Sequence, residues 1–318
     1  MSKSIVVDVK FPQDAVRKAL AGAFSGREVI NMADPASSGR DLTDVDYAIV
    51  WKQDPALFTR ATGVKVIFSG GAGVDHILKA GGLPDGVPLV RFSDRSLTDR
   101  MSEWVVMQCL MHLRQHATYQ RFQQERHWQE LAQPEARDLT VGIMGLGVLG
   151  EDAARKLKVM GFNVIGWSRT RKAIDGVECF DQAELDHFLG QTDILVGLLP
   201  LTADTRGIYA RTLFQKLRQG GALGKPVFIN AGRGGSQVED DIIAAIDIGL
   251  LGGASLDVFE AEPLNSGSAL WKLPNVFVTP HAAAASDVFA LVAHVEQQIA
   301  RYEAGEPLQF VVDRALGY

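Results

Sequence analysis

A chain of 318 residues has room for two domains of ordinary size. Apolar residues at 47% support a substantial core, charged residues at 22% suit a soluble protein, and a net charge of −6 excludes the basic footprint of a general nucleic-acid or membrane-surface binder. The two cysteines, Cys109 and Cys179, form neither a CxxC pair nor a metal-ligand spacing, which fits a reducing compartment and predicts no metal site.

The N-terminal MSKSIVVDVKFPQD has a short apolar run broken by Asp8 and Lys10, so it reads as a strand and not as a signal peptide. No run reaches the length of a membrane span, and a soluble, cytoplasmic protein is expected. Short apolar or β-branched runs at 5–9, 47–51, 64–68 and 88–92 alternate with helix-like segments, the pattern of βαβ units on a parallel sheet. From Thr98 a long helix is predicted, with Met101, Trp104, Val105, Leu110 and Leu113 among its apolar positions. It is apolar on nearly all sides to Leu113, which predicts burial between layers. Beyond His116 it turns polar but keeps Phe122 and Trp128, aromatics that either pack locally or serve a subunit interface.

A second series of strand-like runs lies at 139–144, 162–167, 193–199, 226–230, 253–257 and 275–279. Helices are predicted between them at Glu151–Met160, near 181–189, at 206–217 and at 238–248, the content of a full doubly wound sheet. A last amphipathic helix carries Val288, Val292, Val295 and Ile299 at helical spacing, and an extended tail, EPLQFVVDRALGY, follows.

Between the first strand and first helix of the second series stands Gly145-Leu146-Gly147-Val148-Leu149-Gly150. Gly145 suits the tight turn, Gly147 lets a pyrophosphate approach the backbone, and Gly150 allows close helix–strand packing. The motif alone is weak, since a Gly-rich structural turn has the same spelling. A strand before it, an amphipathic helix after it and a second strand at the right interval point to a dinucleotide site.

That second strand ends in GWSRTRK, where an acidic residue often holds the ribose hydroxyl of NAD. Here stand Ser168, Arg169 and Thr170, followed by Arg171 and Lys172. A short hydroxyl and guanidinium groups suit the 2′-phosphate of NADP, with Ser168 and Arg169 first among the expected ligands. A solvated basic loop is the alternative.

FINAGRGG, ASLDVFEAEPL and NVFVTPHAAAA each place polar groups at the C-terminal end of a predicted strand, where open α/β sheets bind ligands. Arg233 suits a small anionic substrate, because its fork binds a carboxylate while polarising a carbonyl. His281 suits proton donation to the carbonyl oxygen, and a carboxylate beside it, Glu262, would favour the imidazolium and orient the ring. Singly, each also reads as a loop brace, a helix-terminal charge or a satisfied histidine.

Taken in order, Gly145–Gly150, LPLTADTRG at 199–207, NAGRG at 230–234, LDVFEAEPL at 256–264 and TPH at 279–281 resemble the D-isomer-specific 2-hydroxyacid dehydrogenase family across nearly the whole chain. VWK at 50–52, FSGGAGVDHIL at 68–78, GWSRTRK and the terminal GY are most similar to its bacterial glyoxylate/hydroxypyruvate reductases of the A group. The resemblance implies Arg233, Glu262 and His281 as the catalytic set, and Asp257 beside the nicotinamide carboxamide. It implies Pro200, Thr205 and Ala231 along the cofactor, the amides of Ala72 and Gly73 at the substrate carboxylate, and Trp51 as a wall of the substrate pocket. A strand-end Trp buried for packing alone is the competing reading of Trp51.

The implied fold is α/β, two Rossmann-like domains with doubly wound parallel sheets and the active site in the interdomain cleft. Residues 1–98 with 287–318 would form the substrate domain, and 99–286 the dinucleotide domain. The implied partners are NADPH, with NADH possible, a small 2-oxo acid and a second copy in a homodimer. The implied reaction is NADPH-dependent reduction of glyoxylate and hydroxypyruvate. Alternatives are an NADH-preferring dehydrogenase of bulkier 2-oxo acids and a dinucleotide-sensing scaffold like the related corepressors. Two stretches depart from the family pattern: RQGGALGKPVFINAGRGG has an apparent insertion near 222–226, expected to enlarge a surface loop, and MSE at 101–103 replaces an Ala-Glu pair near the cofactor.

Overall fold

Runs such as SIVVDV at Ser4–Val9 are buried along their whole length, which is how strands covered on both faces read. The structure, a computed structural model, describes residues 3–318. The chain divides into two compact units: residues up to Leu97 together with Ser286–Tyr318, and Thr98–Ala285.

The first unit holds β1 (Ser4–Val9), β2 (Glu28–Asn31), β3 (Tyr47–Trp51), β4 (Val66–Ser69) and β5 (Leu89–Val90). They pair in parallel in the order β2-β1-β3-β4-β5. The order reverses between β1 and β3, which opens a crevice at their C-terminal ends. Val6, Ala48, Val50 and Ile67 face Leu57, Val74 and Ile77 in one buried cluster.

The C-terminal segment completes this unit. In the Val288–Glu303 helix, Val292, Val295 and Ile299 are buried, and Asp287 caps its start by accepting from the amides of Phe289 and Ala290. At its other end Glu303 accepts from Arg27 (2.8 Å) and the Tyr47 hydroxyl (2.8 Å) and pairs with Lys3 (3.0 Å). These donors, Arg27 foremost, pull the Glu303 carboxyl down to about 2. The tail then runs beside β5: Arg91 donates to the Phe310 carbonyl and Val312 to that of Leu89, so the sheet edge is covered.

The second unit holds β6 (Thr140–Met144), β7 (Asn163–Trp167), β8 (Glu178–Phe180), β9 (Ile194–Gly197), β10 (Val227–Asn230), β11 (Gly253–Leu256) and β12 (Val276–Val278). All pair in parallel, in the order β12-β11-β10-β9-β6-β7-β8. The switch point lies between β6 and β9. One face packs Val105, Cys109 and Leu113 against Val141, Ile143 and Leu157. The other packs Phe188, Leu189, Tyr209, Phe214 and Ile242 over Leu195 and Phe228. His112 is half-buried with its ring on Ser255 (2.9 Å), and desolvation lowers its pKa to about 4.

Several elements differ from the sequence expectations. β2 and β8 are strands that the pattern of apolar runs does not single out. The long helix spans Arg95–Leu113 and ends there: Gln115 adopts φ +53°, and a separate helix, His116–Glu125, follows. Its first part is only partly buried, with Met107 45% exposed. The helix predicted at 206–217 shrinks to Arg211–Phe214, because Gly207 at φ +63° breaks it. Phe122 stacks locally on Tyr119 and His127, while Trp128 is fully exposed. The apparent insertion closes a turn of its own, with Gly220 donating to Gly224 and Gly224 to Gly221. Among the described residues, no helix is long and apolar enough to cross a membrane.

Candidate active site

Gly145 ends β6 at the switch point with φ +110°, and a Cβ there would sit 2.7 Å from the Leu198 carbonyl after β9. Only glycine fits. Gly150 is equally constrained, since a Cβ would fall on the Gly145 carbonyl oxygen. Gly147 differs: nothing lies within 4 Å of the position of its Cβ, so the turn faces open space. Gly147 precedes the helix Val148–Val159, whose first-turn amides point out of its end. Leu146 is buried over Gly166 of β7, while Val148 is exposed and Leu149 half-buried. A backbone that bulk cannot approach from behind, yet is bare in front, fits a pyrophosphate.

At the end of β7, Ser168 is half-buried and its hydroxyl donates to the Thr170 carbonyl (2.8 Å). Arg169 and Thr170 are exposed. Arg171 is held by Glu184, with Asp181 at 3.8 Å, so this basic group braces the loop. After β9, the Thr205 hydroxyl donates to the Pro200 carbonyl (2.6 Å) and accepts from the Thr202 amide (2.8 Å), which closes the LPLTADT loop on itself.

Asn230 ends β10, fully buried, and shapes the loop that carries Arg233. Its amide nitrogen donates to the Arg233 carbonyl (3.2 Å) and to Gln237 (2.8 Å), and its oxygen accepts from Gly232 (3.0 Å). Gln237 continues the chain of bonds by donating to the Val258 carbonyl (2.9 Å). Gly234 lies so close to the Phe259 backbone that a Cβ would overlap it. Ala231 is buried, and Arg233 is half-buried with one guanidinium nitrogen on the Gly232 carbonyl (2.8 Å). These bonds tie the ends of β10 and β11 together.

Asp257 follows β11 and is buried. Its carboxylate accepts from Thr279 Oγ1 (2.5 Å), the Ala282 amide (2.8 Å) and the Ala283 amide (3.0 Å). Its carbonyl accepts from the His281 amide (2.7 Å). Those bonds hold His281 at φ +54°, a conformation that a non-glycine residue adopts only when its surroundings enforce it. The imidazole Nδ1 then lies 2.9 and 3.1 Å from the two Glu262 oxygens, and Glu262 Oε1 also accepts from the Phe259 amide (3.2 Å). With Nδ1 engaged, Nε2 is the nitrogen left to meet a substrate.

In the first unit, Trp51 ends β3 at the crevice. Its ring lies 4.2 Å from that of His76, edge to face, and 6.0 Å from that of Phe11. A Cβ on Gly71 would collide with the indole, and one on Gly70 would come 3.0 Å from the Trp51 Cβ. The paired glycines therefore seat the tryptophan, and the half-buried Ala72 and Gly73 follow directly.

Thus Glu262 and His281 meet directly, Arg233 and Asp257 share one hydrogen-bonded scaffold, and Trp51 lies beside the Ala72–Gly73 turn. Sequence reasoning missed Asn230, Gln237, Thr279, Gly70, Gly71 and His76. A polar residue closing a β-branched run, as Asn230 closes VFIN, was the available signal. Among the described residues, no group of three or more His, Cys, Asp or Glu is arranged to hold a metal ion.

Comparison with known proteins gives the family. Residues 106–283 match the family profile for the D-isomer-specific 2-hydroxyacid dehydrogenase NAD-binding domain. Glyoxylate/hydroxypyruvate reductase A of Escherichia fergusonii is 41% identical over 284 residues, 87% of this chain and 89% of that protein. An NADPH-dependent glyoxylate/hydroxypyruvate reductase from Sinorhizobium meliloti, solved with NADP and sulfate, is 64% identical over the whole of both chains, with a TM-score of 0.98. A D-isomer-specific 2-hydroxyacid dehydrogenase from Xanthobacter autotrophicus, solved with NADPH and MES, is 37% identical over the whole of both chains, with a TM-score of 0.93. With a matching profile over more than half its length and a carboxylate–imidazole pair at the ends of its strands, the chain belongs to the D-isomer-specific 2-hydroxyacid dehydrogenase family.

Proposed function

We propose that this protein reduces small 2-oxo acids, glyoxylate and hydroxypyruvate foremost, to 2-hydroxy acids with NADPH. The reading rests on the Glu262–His281 pair, in a chain 64% identical to an NADPH-dependent reductase of those substrates. The Gly145–Gly150 turn would hold the pyrophosphate, Ser168, Arg169 and Thr170 the 2′-phosphate, and Pro200, Thr205, Ala231 and Asp257 the remainder of the cofactor. When bound, the reduced nicotinamide supplies a hydride to the keto carbon.

The residues of the chain do the rest. Arg233 holds the carboxylate and polarises the carbonyl, while the Ala72 and Gly73 amides complete the carboxylate site and Trp51 walls it. His281 delivers its Nε2 proton to the carbonyl oxygen as negative charge develops there. Glu262 keeps the ring oriented through Nδ1 and balances the imidazolium charge. The ring is partly exposed, so bulk water reprotonates it after each turnover. In this reading, residues 1–98 with 287–318 supply the substrate walls and 99–286 the cofactor site.

The working form is a homodimer in the cytoplasm. The open apolar face of the Arg95–Leu113 helix, where Val106, Met107, Leu110 and Met111 line a hollow of about 520 Å³ together with Glu103 and Arg114, supports the dimer. Parallel assays with NADPH and NADH over glyoxylate, hydroxypyruvate, pyruvate and phenylpyruvate test the whole. NADPH with the two smallest hydroxylated or aldehydic acids should give the highest kcat/KM. Preference for NADH with phenylpyruvate would overturn the reading.

A further inference from the structure

Arg91 follows β5 at the C-terminal edge of the first sheet, the side on which open α/β sheets bind ligands. Its backbone is fixed: the amide donates to Phe310 (3.1 Å) and the carbonyl accepts from the buried His294 ring. The next residue, Phe92, donates its amide to the Gly71 carbonyl (3.2 Å), so Arg91 stands one residue from a direct bond to the Gly70–Gly73 turn. Strand alternation puts Arg91 on the side of Leu89, the face that also carries Val74 and Ile77 just beyond that turn.

Its guanidinium is half-buried and desolvated, with its pKa lowered by burial and no opposing charge at work. Among the described residues of this unit, every other arginine has a partner: Arg17 bonds Asp34, Arg27 Glu303, Arg40 Glu28, and Arg314 the carbonyls of Pro84 and Val87. Arg60, Arg95 and Arg301 are engaged as well. Arg91 alone has no carboxylate or carbonyl acceptor. A partly desolvated cation without a counter-charge is available to an anionic ligand.

We infer that Arg91 is the anion-binding side chain of the first unit and takes the carboxylate of the substrate beside the Ala72–Gly73 amides. This rests on the reductase reading for the identity of the ligand, but not for the existence of the anion site. Arg91 is a binding residue: it anchors the carboxylate.

The test uses oxalate, a planar anion shaped like a 2-oxo acid, titrated calorimetrically into the cofactor-free protein. Loss of a charge-assisted fork should weaken oxalate about 10- to 100-fold in Arg91→Gln and less in Arg91→Lys, which keeps the charge. The KM for glyoxylate should rise by a similar factor while kcat stays within about twofold. Thermal stability should be unchanged or higher in Arg91→Gln, since no side-chain partner is lost and a half-buried charge is removed. Oxalate affinity within about twofold of wild type in a folded Arg91→Gln overturns the proposal, as does a lowered melting temperature with unchanged binding. If Arg91→Gln fails to fold, Arg91→Lys decides, because an unaltered oxalate affinity there would rule out the fork. Arg91-dependent oxalate binding without glyoxylate turnover would leave the anion site standing and sink the reductase reading instead.

Discussion

Glu262 and His281 meet side chain to side chain, with both carboxylate oxygens within 3.1 Å of the imidazole Nδ1. The pair is assembled from two strand ends, Glu262 beyond β11 and His281 beyond β12. If His281 is the acid, as proposed, His281→Ala should lower kcat about 10²- to 10⁴-fold with little change in KM. Glu262→Gln keeps the hydrogen bond but not the charge, and a smaller loss of kcat is expected. Arg233→Ala should damage both kcat and KM. Steady-state kinetics of the three variants checks the division of labour, and unchanged turnover in His281→Ala would sink it.

Asp257 gathers three donors from the TPHAA segment. Truncation to Ala leaves the buried Ala283 amide, the Ala282 amide and the Thr279 hydroxyl without their acceptor, at a cost of about 3 kcal/mol. Asp257→Ala should therefore unfold at lower denaturant concentration and also lose kcat, because, of the residue 257 bonds that hold the left-handed His281 conformation, only the one from the His281 amide to the backbone carbonyl is left. Intact stability alongside lost activity would instead mark Asp257 as a ligand contact alone.

Cofactor choice should follow the loop after β7. With Arg171 engaged by Glu184, the proposed 2′-phosphate ligands are Ser168, Arg169 and Thr170. The double change Ser168→Asp with Arg169→Ala should shift the NADPH/NADH ratio of kcat/KM toward NADH by about 10- to 100-fold. A ratio that does not move would reduce the stretch to a charged turn.

Gly71 lies under the Trp51 indole with no room for a methyl group. Gly71→Ala should push the ring out of place at about 1–3 kcal/mol of overpacking. The expected readout is a raised KM for glyoxylate with NADPH affinity unchanged, measured by parallel titrations.

The Glu303 carboxyl, held down to about 2 by Arg27, Tyr47 and Lys3, ties the last helix to the first sheet. A carboxyl lowered on folding stabilises above its ordinary value of 4.5, and that stability is lost as the pH falls toward 2. Denaturant titrations of wild type and Glu303→Gln should differ most at neutral pH and converge on acidification through this window. A gap that stays constant with pH would show that the charge is not what matters.

How much of this was legible beforehand depended on the range of the interaction. The Gly145–Gly150 turn was legible because Gly145 and Gly150 answer local backbone demands between a strand and a helix, and the Glu262–His281 pair because both follow short apolar runs. β2 and β8 were passed over, since EVIN and ECF are short, begin with Glu and lie at sheet edges. Helical periodicity ran on through Arg114–Gln115 and Gly207, where left-handed residues break the helix without disturbing the hydrophobic pattern. The Asn230–Gln237–Val258 chain and the seat of Trp51 on Gly70–Gly71 depend on segments brought together by the fold, so no local pattern announces them.

The C-terminal helix and tail belong to the sheet begun by β1, with the whole of Thr98–Ala285 inserted between them in the chain. During synthesis the order of completion is therefore reversed. The inserted unit is contiguous and has all seven strands once Ala285 has emerged. The unit made first must wait, lacking the partners of Tyr47 and Leu89 until Glu303 and Val312 leave the ribosome. For most of translation the nascent chain carries an N-terminal sheet with an uncovered edge, and a stop codon a few residues early would strand it there.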